Sequence, residues 1–150
     1  MGLSGLPRFL ERHRRVALDT RVFIYQLESH PQYLPLTDRI FLWLEDPHVE
    51  AVTCTVTMTE LLVGPYQEVD ERCADKLYTL PSIYPNVNWI LPSLAIADKA
   101  ARLRARYRLK TPDALQAATA EHSGASGLIT NDPIFTRVPA FETLVLSHLL

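Results

Sequence analysis

The sequence is short of most features by which a 150-residue chain declares its class. Two cysteines, Cys54 and Cys73, are too few for a disulfide framework. Its five glycines form no glycine-rich loop, so nothing offers a cradle for a nucleotide's phosphates. No apolar run approaches the ~18 residues of a membrane span and no apolar leader is seen, which predicts a soluble, cytoplasmic protein without a membrane partner. The opening Met1-Gly2-Leu3-Ser4-Gly5-Leu6 lacks the Ser or Thr expected for myristoylation, because Leu6 stands in its place. An excess of one charge is missing too. With a net charge of −2, any nucleic-acid role requires locally clustered basic residues.

What is present suffices for a core. At 47% hydrophobic residues, the chain predicts one domain over 1–150 that buries roughly two-thirds of its unfolded surface. Residues 1–15 form a basic lead-in, whose part from Ser4 to Arg15 reads as a short helix capped by Ser4 or Gly5. It reads as a solvated appendage with Phe9 and Leu10 tucked down rather than as a dedicated RNA arm. Val16-Ala17-Leu18 is then a strand ending at Asp19-Thr20, a cap before the helical segment Val22 to Leu27. Leu36 to Glu45 supplies a second amphipathic helix, Glu50 to Val56 a second strand, and Thr57-Met58-Thr59-Glu60 opens a helix to Gly64-Pro65, with another from about 67 to 80. Val87 to Leu91, Gly127 to Thr130 and Thr143 to Leu146 complete the strands. A helix from Pro92-Ser93 to about Tyr107 and an alanine-rich helix opened by Thr111-Pro112 lie between them, Thr111 acting as cap and Asp113 falling in the first turn. Alternating strands and helices predict an α/β fold: a three-layer α/β/α sandwich on a mostly parallel, roughly five-stranded sheet.

In such sheets sites form beyond the carboxyl ends of the strands, and four acids fall there: Asp19, Glu60, Asp113 and Asp132. Singly, each has a capping or first-turn explanation worth about 0.5–2 kcal/mol. Converging carboxylates raise one another's pKa and call for a cation; oxygen-only donors favour Mg²⁺ or Mn²⁺, with waters retained. A cation so held activates water and neutralises phosphoryl charge, which points to a phosphodiester substrate. The hydroxyls of Thr20 and Thr130 either orient the site or serve as cap and strand-end hydrogen bonds. Six basic residues lie within Lys99–Lys110, with Lys99, Arg102 and Arg106 on one ridge, Arg104 and Arg108 on another, and Lys110 following. The ridge is either a phosphate-binding surface or the solvated face of an amphipathic helix whose inward stripe is Ile96, Ala100, Leu103 and Tyr107. A haloacid-dehalogenase phosphatase is excluded because Arg21 stands where it needs a second aspartate. A response-regulator receiver is excluded because Asp19 has no acidic neighbour and no lysine lies beyond Lys110.

The four acids in this order, in Leu-Asp-Thr, Thr-Glu-Leu-Leu-Val-Gly-Pro, Thr-Pro-Asp-Ala-Leu-Gln-Ala-Ala-Thr-Ala and Leu-Ile-Thr-Asn-Asp-Pro-Ile-Phe, resemble the PIN-domain ribonucleases, especially the VapC-type toxins of type II toxin–antitoxin systems. The resemblance spans Val16 to about Leu146. It implies a metal-dependent endoribonuclease with Asp19, Glu60, Asp113 and Asp132 around Mg²⁺ or Mn²⁺. It further implies a homodimer held inactive by a small cognate antitoxin, which places an arginine against the acids. The expected RNA contacts are Lys99, Arg102, Arg106 and Lys110. The alternatives are a catalytically silent PIN-fold RNA- or protein-binding module and a DNA-directed nuclease on the same site.

Overall fold

A computed structural model describes residues 4–150; the first three residues of the lead-in, and with them the myristoylation start, lie outside the described residues. The chain runs α1 (Gly5–Arg12), β1 (Arg15–Leu18), α2 (Thr20–Leu27), α3 (Leu34–Trp43), β2 (Glu50–Cys54), α4 (Val56–Gln67), α5 (Glu71–Ser82), β3 (Val87–Ile90), α6 (Leu94–Tyr107), α7 (Thr111–His122), β4 (Gly127–Thr130) and β5 (Glu142–Val145). The five strands form one sheet in the order β3-β2-β1-β4-β5, every pair parallel. Strands this short and apolar on both faces need helices on each side, since a parallel sheet has no solvated face. One cluster packs α1, α2 and α3 on one face through Leu6, Phe9, Phe23, Ile40 and Leu44; Ile96, Leu103, Ala114, Ala117 and Phe135 form the other with α6 and α7. Chain order reverses between β1 and β4, so the crevice of the sheet opens beyond their carboxyl ends.

The lead-in is more than an appendage. Leu6, Phe9 and Leu10 of α1 are buried, and Ser4 makes no side-chain cap. Helix α1 ends at Arg12, and Arg15 already belongs to β1, where it pairs with Glu50. Phe9 lies so close to β4 that a Cβ built on Gly127 would stand 2.6 Å from its ring, which is why glycine is needed there.

Three other expectations shift. Gly64-Pro65 does not end α4, which runs on through Pro65 to Gln67; the chain breaks at Val69, whose φ is +52°, and Asp70 caps α5 by accepting from the Cys73 N–H at 3.0 Å. Helix α4 starts at Val56, so Glu60 falls in its second turn rather than its first. Thr111 is the first residue of α7 and not its cap; Lys110 takes the cap position without a side-chain hydrogen bond, and the Thr111 hydroxyl instead accepts from Arg104 Nη1 at 2.9 Å.

Candidate active site

The carboxyl edge of the sheet gathers the four acids from separate elements. Asp19 follows β1 and caps α2, Glu60 projects from α4 after β2, Asp113 sits in the first turn of α7, and Asp132 follows β4 and caps a 3₁₀ turn at Pro133–Arg137. All four line one cavity of about 430 Å³ together with Thr20, Arg21, Ile24 and Val63. Asp19 is the most enclosed, at 7% exposure. Its Oδ1 accepts from the Thr20 backbone N–H and its Oδ2 from the Thr130 hydroxyl, both at 2.8 Å. Thr130 in turn accepts the Asp132 N–H at 3.0 Å, and Asp132 Oδ1 accepts from the Ile134 N–H at 3.0 Å. The Thr20 hydroxyl donates to Glu60 Oε1 at 2.7 Å. Both threonines therefore hold acids in place.

The electrostatics of this cavity are unfavourable as they stand. Burial pushes Asp19 up to about 6, against the pull of the Thr130 and Thr20 hydrogen bonds, and the charges of Asp113 and Glu60 push the same way. Asp113 is also raised, first by burial and then by Asp132 and Glu60, with Lys110 opposing. Carboxylates in mutual repulsion, answered by one lysine, mark a functional site more often than a structural one.

Beneath the acids lies a polar network that pattern reading missed. Gln116 and Thr57, 2% and 0% exposed, join α7 to α4. Gln116 Oε1 accepts from the Cys54 N–H at 3.2 Å and its Nε2 donates to the Thr57 hydroxyl. The Thr57 and Thr53 hydroxyls are 2.8 Å apart, and Thr53 donates to the Leu18 carbonyl at 2.9 Å. Because the single Thr53 hydrogen is engaged there, Thr57 is the donor between them. The available signal was a glutamine among alanines on a helix otherwise suited to close packing. Arg21 at the cavity rim was passed over because it mattered only as a missing aspartate.

The basic ridge stands elsewhere. Lys99, Arg102 and Arg106 line a separate cleft with Tyr107, Glu121 and Pro139. Lys99 pairs with Glu121 at 3.2 Å, Arg102 with Asp98 at 2.9 Å, and Arg106 lies 5.5 Å from the Tyr107 ring centroid. Glu121 is near the far end of α7 from Asp113, about 12 Å along the helix axis. Of the four basic residues singled out, Lys110 is the one whose charge acts on Asp113.

The donor chemistry fits a hard divalent cation. Every candidate ligand is oxygen, each Asp19 oxygen accepts only one hydrogen bond, and a cation would relieve the repulsion. Among the described residues, however, no three His, Cys, Asp or Glu side chains group closely enough to hold a metal by themselves.

Comparison with known proteins places this fold. The PIN domain family matches residues 16–140. No curated protein matches the chain. Among solved structures, VapBC2 from Rickettsia felis bound to a DNA fragment from its promoter is similar at 20% identity and TM-score 0.68, covering 87% of this chain and 97% of that one. VapBC-1 from nontypeable Haemophilus influenzae is similar at 20% identity and TM-score 0.67, with 89% and 98% covered. A toxin–antitoxin complex from Klebsiella pneumoniae is similar at 24% identity and TM-score 0.62, with 87% and 97% covered.

Proposed function

The chain belongs to the PIN domain family, and from that premise we propose that it is a metal-dependent endoribonuclease, the VapC-type toxin of a toxin–antitoxin pair. The observation that carries the reading is the cavity at the sheet's carboxyl edge, which four carboxylates from four elements line, none of them in a salt bridge among the described residues. Asp19 and Asp113 would hold Mg²⁺ or Mn²⁺, with Glu60 and Asp132 completing the site directly or through water. When bound, the cation supplies charge neutralisation at the phosphoryl group and a more acidic water. The chain's own residues orient the site: Thr130 fixes Asp19, Thr20 fixes Glu60, and the 3₁₀ turn fixes Asp132. Arg21 at the rim and Lys110 beside Asp113 are placed to meet substrate phosphates, while Lys99, Arg102 and Arg106 would contact RNA farther along the strand.

The similar structures are toxin–antitoxin complexes, which supports a small cognate antitoxin as partner. A groove of about 320 Å³ runs beside the acids. Ile24, Leu27, Leu61, Val63 and Leu77 form its walls, and Glu28, Glu60 and Glu68 its rim. It suits an amphipathic segment that brings an arginine to the carboxylates. The protein is proposed to act as a cytoplasmic homodimer; no described helix is long and apolar enough to cross a membrane.

One observation favours a catalytically silent binding module instead, namely that no three ligating side chains group among the described residues. Sequencing of cleaved RNA ends after induction, with Asp19→Asn as control, decides between them. Asp19-dependent ends support the nuclease; RNA bound but never cut under Mg²⁺ or Mn²⁺ supports the module.

A further inference from the structure

Helix α7 turns an almost pure alanine face to its neighbours through Ala114, Ala117, Ala118 and Ala120, all fully buried, yet a glutamine is set among them. A leucine or methionine would fill that place without desolvating an amide, so Gln116 needs a reason beyond packing. Both of its polar atoms are engaged, and both partners belong to one other part of the chain. Oε1 takes the N–H of Cys54 at the end of β2, and Nε2 donates to Thr57 in the first turn of α4.

Residues three apart on a helix share a face. Gln116 therefore shares a face of α7 with Asp113, one turn toward the C-terminus, and Thr57 shares a face of α4 with Glu60, one turn toward the N-terminus. The bond between Gln116 and Thr57 ties together the two helices that carry Asp113 and Glu60, two carboxylates that repel each other. Without a tie, that repulsion favours parting the helices and widening the site. We propose that Gln116 is a positioning residue of the acid cavity, clamping α7 to the β2–α4 corner so that Asp113 and Glu60 stay within reach of one cation. Thr57 is its anchor. The Thr57 hydroxyl is itself oriented, donating to Thr53 at 2.8 Å while its oxygen accepts from Gln116. Thr20 Oγ1 lies 3.3 Å from Thr57 and 2.7 Å from Glu60, so its single hydrogen goes to the nearer, charged acceptor and adds a second hold on Glu60.

The proposal rests on reading the cavity as a divalent-cation site, and the experiment separates the two claims. The purified full-length protein and its variants are titrated calorimetrically with Mn²⁺, and Tm is recorded for each. Gln116→Met weakens Mn²⁺ binding about tenfold, as loss of a group that orients a ligand typically does. Thr57→Val does the same, and the double variant loses no more than either single one, because the two act as one bond. Thr57→Ser, which restores the hydroxyl but not the methyl, recovers affinity even as Tm falls. In a Glu60→Gln background, where the repulsion is gone, Gln116→Met changes affinity less than about twofold. Parent-like Mn²⁺ affinity in folded Gln116→Met and Thr57→Val overturns the clamp, as does an undiminished tenfold loss in the Glu60→Gln background. Should Gln116→Met fail to fold, the Thr57 pair alone decides. Parent protein that binds no Mn²⁺ overturns the cation reading, and the clamp with it.

Discussion

The acid cavity and the basic ridge of α6 treat their charges in opposite ways. On the ridge the cations are exposed and provided for: Lys99 has Glu121, Arg102 has Asp98, and Arg106 lies over Tyr107. Such surface pairs contribute little and cost little. In the cavity Asp19 is buried, and its carboxylate neighbours push its pKa further up. A ridge that pairs its charges beside a buried Asp19 pressed by other carboxylates is the contrast on which the proposed cation site rests. Density of charge in the sequence is therefore a poorer guide to the site than failure of charges to be balanced in space.

The comparison can be broken most sharply at the cavity. Asp113→Asn should lower metal-dependent RNA cleavage on the order of 10³-fold or more, measured on purified protein. It should also raise the Tm of the metal-free protein, because the repulsion is relieved and, among the described residues, no hydrogen bond holds the Asp113 carboxylate in its charged form. A destabilised, inactive variant would instead make Asp113 structural.

The pH dependence gives a second, smaller effect. Asp19 titrates near 6 in the fold against 3.8 when free, so the folded state binds the proton more tightly. Its stabilising contribution is full below about 3.8 and is lost as pH rises through about 6, on the order of 3 kcal/mol. Denaturant titrations of metal-free protein at pH 4 and pH 7 should show this loss, and Asp19→Asn should remove it. Saturating Mn²⁺ should offset it at pH 7, since the cation binds the charged form. Glu60→Gln comes next, with about a tenfold loss of Mn²⁺ affinity by calorimetry. The smallest effect belongs to the ridge. Arg102→Glu with Arg106→Glu should weaken RNA binding a few-fold and reduce the slope of log K against log salt, roughly by 0.7 per lost phosphate contact with single strands. An unchanged slope would reduce the ridge to a solvated face.

The strand–helix alternation was legible because parallel strands read as short apolar runs and their helices carry a 3.6-residue stripe. Val16–Leu18 and Gly127–Thr130 therefore lie where the pattern puts them. Boundaries were less legible. The break before α5 falls at Val69 in a positive-φ conformation that nothing in a valine advertises, and α4 runs two residues past Pro65. The lead-in read as an appendage because its basic residues dominate its composition, while three apolar side chains, Leu6, Phe9 and Leu10, decide its burial. At the site, the acids announced themselves by standing at element ends. Gln116 and Thr57 gave no such sign, because their roles depend on two helices meeting, which no local pattern encodes. Arg104 is a similar case, its exposed guanidinium bonded to the Leu109 carbonyl and the Thr111 hydroxyl at the α6–α7 corner.

The most direct test of the central claim is cleavage of total RNA by the purified protein in Mn²⁺, in EDTA, and with folded Asp113→Asn. Discrete new RNA ends in Mn²⁺, absent both with EDTA and with Asp113→Asn, are the predicted result. Ends that persist in EDTA or survive the substitution would contradict the assignment of this cavity as the metal-dependent site.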